Sequence, residues 1–203
     1  MTRAQEYYAV AIVLFVLFVA LGETVVRRPA LRVDRAALFH SHFTYGAGVL
    51  TATGRSPFLV TASVIAAVIF VALRLPLWIP LVLILTQMLS QTLAELFKAH
   101  YRRVRPEYWV VGLDPGKSYP SGHAVTAIVF FGGWACVVAF TMLPPSVKYA
   151  LVAILIAWAI AIDWSRLALG AHYLTDVAGG TLLGSAWVCA VIGALHQTAL
   201  PVP

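Results

Sequence analysis

The chain has 203 residues, of which 61% are hydrophobic and 11% charged, and its mean hydropathy is +0.88. Soluble domains sit nearer about 45–50% apolar and about 25% charged, so a soluble enzyme, a disordered chain and a collagen-like chain are excluded. The net charge is +6, from 14 Lys and Arg against 8 Asp and Glu. A membrane-crossing helix needs about 20 mostly apolar residues, so the apolar content fills about six crossings. With most of the chain in lipid, the cations must crowd into short loops. That points to an anionic headgroup or substrate; no nucleic-acid-binding module is visible, and nucleic acid is not expected as a partner.

The first apolar run, about Tyr7 to Val26, follows Arg3. Its Ala20-Leu21-Gly22 faintly resembles a signal-peptide cleavage site, but further spans follow and the run is expected to remain as the first crossing. Residues 27 to 55 carry Arg27, Arg28, Arg32, Arg35 and Arg55. Within them Leu38, Phe39, His42, Phe43, Gly46, Val49 and Leu50 recur at helical spacing. This predicts an amphipathic helix lying along the membrane surface, with His40 and His42 exposed at the interface rather than binding metal.

The second span is predicted over about Pro57 to Leu73, closed by a tight turn at Arg74, Leu75 and Pro76. The third covers about Leu77 to Phe97 and carries Gln87, Gln91, Glu95 and Lys98 on one helical face. Polar side chains in lipid turn toward the bundle interior, so this stripe is expected to lead inward to Lys98; the two glutamines read equally well as interhelix glue. A polar loop runs to Tyr119. The fourth span is about Ser121 to Leu143, the fifth about Val147 to Ile162 and the sixth about His172 to Leu195, with Gly180 and Gly184 spaced for close helix approach. Cys136 and Cys189 fall inside apolar runs and read as packing residues. The expected fold is all-α: six transmembrane helices plus an interfacial helix in the first loop, in one domain over 1–203.

In this topology the ends of spans three and five and the starts of spans four and six share one side. Nearly all the unusual polar residues fall there. Lys98 to Pro106 packs Lys98, Arg102, Arg103 and Arg105 against a helix end, and Pro106 turns Arg105 out of the helix. Taken alone, this is also what a topology-fixing flank looks like. Pro120-Ser121-Gly122-His123 opens the fourth span, where free N–H groups and the positive dipole end suit a phosphate. Ser121 can cap, Gly122 lets a ligand near the backbone, and His123 can move a proton; an ordinary cap with an interfacial histidine is the plainer alternative. Ser165, Arg166, His172 and Asp176 follow. With the sixth helix starting near His172, His172 and Asp176 stand at i and i+4, so the carboxylate can fix the imidazole tautomer and leave a lone pair free. Arg166 adds an oxyanion clamp. Each cluster has an ordinary structural explanation, but all three fall on one side and suit one chemistry.

These motifs resemble the type-2 phosphatidic acid phosphatase superfamily. Its signature is Lys, six residues, Arg-Pro; then Pro-Ser-Gly-His; then Ser-Arg, five residues, His, three residues, Asp. Lys98 to Pro106, Pro120 to His123 and Ser165 to Asp176 match it in order and spacing. The resemblance implies a phosphatase of lipid phosphates that needs neither metal nor other cofactor and works through a phosphohistidine. It implies catalytic roles for His172 as nucleophile, Asp176 as its orienting partner and His123 as general acid and base. Lys98, Arg105, Ser121, Gly122 and Arg166 become the phosphate cradle. His100, His196, Arg102, Arg103 and Asp163 lie outside the signature and are expected at the interface.

Relatives of this kind act on undecaprenyl pyrophosphate, phosphatidylglycerol phosphate, phosphatidic acid or lipid A phosphates, and undecaprenyl pyrophosphate is the lead by commonness. The alternatives are a phosphotransferase or lipid A phosphatase on the same scaffold, or a non-enzymatic lipid-binding or transport protein. The resemblance also implies a bacterial inner-membrane protein with its site on the periplasmic side. Loop charges oppose that orientation, because 11 of the 14 cations fall on the site's side. Arginines of the first loop are expected to meet anionic headgroups. The oligomeric state is not legible.

Overall fold

The computed structural model describes residues 1–28, 30–37, 44–106 and 116–198. In chain order the helices are α1 (Arg3–Val26), α2 (Arg32–Ala37), α3 (Thr44–Thr53), α4 (Ser56–Ala72), α5 (Trp78–Tyr101), α6 (Gly122–Ala127), α7 (Gly133–Phe140), α8 (Pro145–Ala168) and α9 (Leu174–Leu195). A π-helical turn, Ile128–Gly132, joins α6 to α7, so the two continue one another as a single span. No strand occurs among the described residues. Five spans are long and apolar enough to cross a membrane, and α3 with α4, bent by 51° at their junction, makes a sixth if the pair counts as one.

The burial pattern is inverted relative to a soluble bundle. In α5, Thr86, Gln87 and Ser90 are buried while Leu81, Leu85 and Met88 face outward. In α8, Ser165 and Arg166 are buried while Ile154 and Ile160 face outward. Lipid solvates leucine as well as a protein core does, so polar and small side chains turn inward. α1 lies along α9, with Phe18 and Val25 fully buried. That packing sets the first apolar run against α9 inside the bundle. α9 also presses on α6: a Cβ on Gly180 would stand 2.6 Å from the Ser121 carbonyl oxygen, and one on Gly184 3.0 Å from that of Val125. The small-residue spacing therefore does what it was expected to do.

Three expectations change. The first-loop helix is two helices, α2 and α3, and Leu38, Phe39, His40, His42 and Phe43 lie outside the described residues. On α3 the buried residues are Ala47 and Thr51, while Gly46 and Val49 are exposed. The helix packs on α8 through small and polar side chains, so its apolar face is the outward one. Second, α9 begins at Leu174, with Tyr173 as its cap. His172 therefore precedes the helix rather than opening it. Third, α5 stops at Tyr101: Arg102 takes φ 52° and its N–H donates to the Lys98 carbonyl, ending the helix before Pro106 can. The turn at Arg74 is as expected. Its φ is 54°, and the Leu75 N–H closes on the Phe70 carbonyl at 2.8 Å, a Schellman end.

Candidate active site

The predicted residues converge where α5 and α8 end and α6 and α9 begin. Gly170 sets the α8–α9 turn. Its φ of 63° is a left-handed value that suits glycine, and the Ala171 N–H then reaches back to the Arg166 carbonyl at 3.0 Å. This turn places His172 beside the last turn of α8, which carries Arg166. The loop before α6 is stitched to α9: the Ser121 N–H donates to the Asp176 carbonyl at 2.9 Å, and the Ser118 hydroxyl donates to the Asp176 carboxylate. Tyr119, fully buried, donates to the Phe18 carbonyl at 2.6 Å and fills the space over Gly179. Burial, with the nearby charges of Tyr101 and Asp176, raises its phenol above the ordinary value, so it acts as a fixed donor and spacer.

His172 is 1% exposed. Its Nδ1 faces Asp176 Oδ2 at 3.6 Å without a hydrogen bond, and its Nε2 lies 3.5 Å from Arg105 Nη1; arginine can only donate, which puts the lone pair on Nε2 and the proton on Nδ1. Burial lowers the imidazole pKa to about 4; Asp176 pulls it up, and Arg166 and Arg105 push it down. At neutral pH the ring is therefore uncharged, with its lone pair on the side of the arginine. Arg105 is held by the Gly116 carbonyl at 3.1 Å and the Ala171 carbonyl at 3.2 Å. Arg166, 4% exposed, donates to Thr51 Oγ1 at 3.1 Å, and Thr51 shares a hydrogen bond of 2.7 Å with Ser165.

Ser121 caps α6, accepting from the Ala124 N–H at 3.4 Å. Lys98 Nζ sits 2.6 Å from Glu95 and would be 3.0 Å from a Cβ on Gly122. His123 lies within electrostatic reach of Arg166, His172, Arg55 and Lys98, and its Nε2 is buried without a hydrogen-bond partner. A cavity of about 340 Å³ opens beside it, lined among others by Arg55, Ser56, Gln91, Glu95, Lys98 and Gly122. The polar stripe of α5 thus reaches the site through Gln91, Glu95 and Lys98. Gln87 lies deeper, buried, with neither amide atom hydrogen-bonded.

Arg103 corrects the sequence reading. It is 4% exposed, not interfacial, and bridges Asp176 Oδ1 at 2.6 Å and Asp34 Oδ2 at 2.8 Å. Asp163 is also half-buried, accepting from Thr181 at 3.1 Å, and His196 stacks on Tyr7 at 5.3 Å. Arg102 and His100 are exposed as expected. The residues missed outright are Asp34, Thr51, Ser118 and Thr175, all buried. One signal pointed to Asp34: it is the single acid among residues 27–55, a stretch otherwise rich in arginine.

The arrangement offers a neutral, oriented imidazole, a second histidine at a helix start, and three cations with free helix N–H groups nearby. That set suits transfer of a phosphoryl group, where positioning and charge neutralisation supply most of the catalysis. Known proteins are similar to this chain. The stretch resembling phosphatidylglycerophosphatase B of Bacillus subtilis is 34% identical over 95 residues, 44% of this chain and 45% of that one. The stretch resembling the lipid A 1-phosphatase of Rhizobium johnstonii is 34% identical over 104 residues, 46% of this chain and 38% of that one. The chain thus spans less than half the length of these curated relatives. The crystal structure of a transmembrane PAP2-type phosphatidylglycerolphosphate phosphatase from Bacillus subtilis aligns with TM-score 0.79 at 25% identity, covering 94% of this chain and 98% of that one. With that neighbour and its own apolar helices, this is an integral membrane protein. The PAP2 superfamily profile matches residues 76–198, which include every motif residue gathered at this site, and the chain belongs to that superfamily.

Proposed function

We propose that the protein is a membrane phosphatase of lipid phosphomonoesters, a single domain over 1–203, working through a phosphohistidine on His172. The observation that supports this best is the setting of His172: Nδ1 faces the Asp176 carboxylate at 3.6 Å and the Nε2 edge faces a cradle cation at 3.5 Å. Nε2 attacks phosphorus, and the bond to the lipid oxygen breaks. His123 gives that oxygen a proton. Water then attacks the phosphohistidine, His123 takes its proton, and inorganic phosphate leaves as Nε2 is released. Lys98, Arg105, Arg166, the Ser121 hydroxyl and the Gly122 N–H hold the phosphoryl oxygens throughout, the Ser121 N–H staying on the Asp176 carbonyl.

The names of the curated relatives favour a phosphomonoester such as phosphatidylglycerol phosphate over undecaprenyl pyrophosphate as the first substrate to test. The reading places the site on the periplasmic side of a bacterial inner membrane. A reporter fused to the C-terminus then works only in the cytoplasm; a periplasmic C-terminus reverses the orientation. The deciding assay sets the purified protein against phosphatidylglycerol phosphate, phosphatidic acid, undecaprenyl pyrophosphate and lipid A. Turnover should survive EDTA and be blocked by vanadate. Phosphate release by His172→Ala at the wild-type rate, for every lipid tested, would refute the phosphohistidine.

A further inference from the structure

Asp34 belongs to no motif, yet it is fully buried at the centre of the site's most connected network. Its carboxylate accepts from the Leu31 N–H at 3.0 Å, the Thr175 N–H at 3.0 Å and the Thr175 hydroxyl at 2.8 Å. Arg103 donates one nitrogen to Asp34 at 2.8 Å. With the other it reaches Asp176 at 2.6 Å and Thr175 Oγ1 at 2.7 Å, and its guanidinium lies over the Tyr173 ring, 4.3 Å from the centroid. One cation thus stands between two carboxylates, in surroundings where the Arg103 side chain is 2% exposed and each acid 0%.

The charge count is informative. Asp34, Arg103 and Asp176 sum to one negative charge on the Nδ1 side of a neutral His172, while Arg105 stands on its Nε2 side and Arg166 lies within electrostatic reach. A buried net charge is costly unless something offsets it. Arg105 and Arg166 offset it in the resting site, and once Nε2 bonds phosphorus, with the proton kept on Nδ1, the ring's positive charge faces Asp176 while the negative phosphoryl oxygens face the cradle cations. Were Arg103 and Asp176 alone, the guanidinium would already neutralise the carboxylate, and the phosphorylated ring would meet no net negative charge. Asp34 draws on the same guanidinium and leaves Asp176 the surplus.

We propose that Asp34 is a positioning residue of the reaction: through Arg103 it keeps a net negative charge opposite His172, which stabilises the phosphohistidine and the transition state leading to it. This rests on the phosphatase reading above. It goes further by making the first loop, through α2, part of the reaction's electrostatics. A purely structural tether between α2 and α9 would also bury Asp34, but it would move stability and leave the rate of phosphorylation alone.

The test uses the full chain in detergent with dioctanoyl phosphatidic acid as probe. Asp34→Asn keeps the shape and a carbonyl acceptor while removing the charge. Loss of one charge-assisted contact predicts a fall in kcat of about tenfold to a hundredfold, with KM within about twofold because Asp34 touches no cradle residue. Rapid-quench phosphoenzyme formation should slow by the same factor, and Asp34→Glu should recover part of it. A folded Asp34→Asn with wild-type kcat, or a slowed one whose phosphoenzyme forms at the wild-type rate, overturns the proposal. If Asp34→Asn does not fold, Arg103→Lys keeps the cation but loses the planar fork that holds Asp34 and Asp176 together. It should lower kcat several-fold, and an unchanged kcat overturns the proposal. His172→Ala is run beside them. If it is inactive while Asp34→Asn is unimpaired, only this proposal fails; if it is active, the phosphohistidine reading fails and this proposal with it.

Discussion

Gly122→Ala separates the phosphate cradle from the fold. The new Cβ would stand 3.0 Å from Lys98 Nζ and 3.7 Å from its Cε, and ordinary contact begins at 3.4 Å. The ammonium must therefore retreat by about 0.4 Å. It is the far end of a flexible side chain, so the retreat costs the fold little. Alanine also suits the first turn of a helix better than glycine does, by about 0.5–1 kcal/mol. Stability should stay level or rise slightly. Catalysis is less forgiving: at about a hundredfold per ångström of misplacement, 0.4 Å scales to about sixfold. The methyl also crowds the backbone N–H groups offered to the phosphate, which adds to the loss. Steady-state hydrolysis of a lipid phosphomonoester and a thermal melt in the same detergent measure both sides. Full activity in Gly122→Ala would show that no phosphate approaches this backbone, and the cradle as drawn would be wrong.

Gly180→Ala should behave in the opposite way. Its Cβ would meet the Ser121 carbonyl oxygen at 2.6 Å and the Ala124 Cβ at 2.7 Å, neither of which can swing aside. Overpacking of this kind costs about 1–3 kcal/mol, so the melting midpoint and the activity should fall together; an unchanged midpoint would contradict the tight α6–α9 contact. His123→Ala should slow lipid phosphate hydrolysis by about 10²–10⁴. With p-nitrophenyl phosphate, whose leaving oxygen needs no proton, phosphorylation of His172 should be spared and phosphoenzyme should accumulate. Equal losses on both substrates without accumulation would remove His123 from both proton transfers. The pKa of His172, lowered from 6.5 to about 4, fixes a pH dependence. The unfolded chain binds a proton near 6.5 and the folded site only near 4, so this group's contribution to stability is full at pH 7 and declines as pH falls through that window. Melts of wild type and His172→Gln between pH 7 and 4 test the sign, the variant lacking that part of the acid loss.

How much of this could be read from the chain depends on how local each cause is. Span positions were legible because lipid demands long apolar runs: both ends of α4 and the starts of α5 and α8 lie within two residues of where composition placed them, while α8 runs six residues past its predicted end. Lys98, His123 and Arg166 were legible because each sits at a helix end beside its motif partners. The inner face of α3 was not legible because its partners Ala168, Leu169 and Ala171 come from a distant part of the chain. Small residues face inward there, and the apolar stripe faces out. His172 falls just before α9 rather than on it because the Gly170 turn and the Tyr173 cap use up the residues after α8 before helix can resume.

Arg103 and Asp34 show a different limit. Apart from being the single acid of residues 27–55, Asp34 carries no local mark of burial, and its arginine-rich surroundings read as a headgroup-facing surface. Its burial depends on Arg103 and Thr175, distant in sequence and brought close only when α2 docks on α9. Arg103 was in view, but it lies outside the signature that singles out Lys98 and Arg105, and a cation run at a helix end gives no indication of which member turns inward. The left-handed Arg102 decides that. It ends α5 one residue earlier and sends Arg103 toward Asp176, while Arg102 itself stays outside with its Nε on the Ala99 carbonyl at 3.0 Å. In lipid, where burying a charge without partners is so costly, the fully buried cation with two acidic partners shows where the site's electrostatics are set, and motif membership does not.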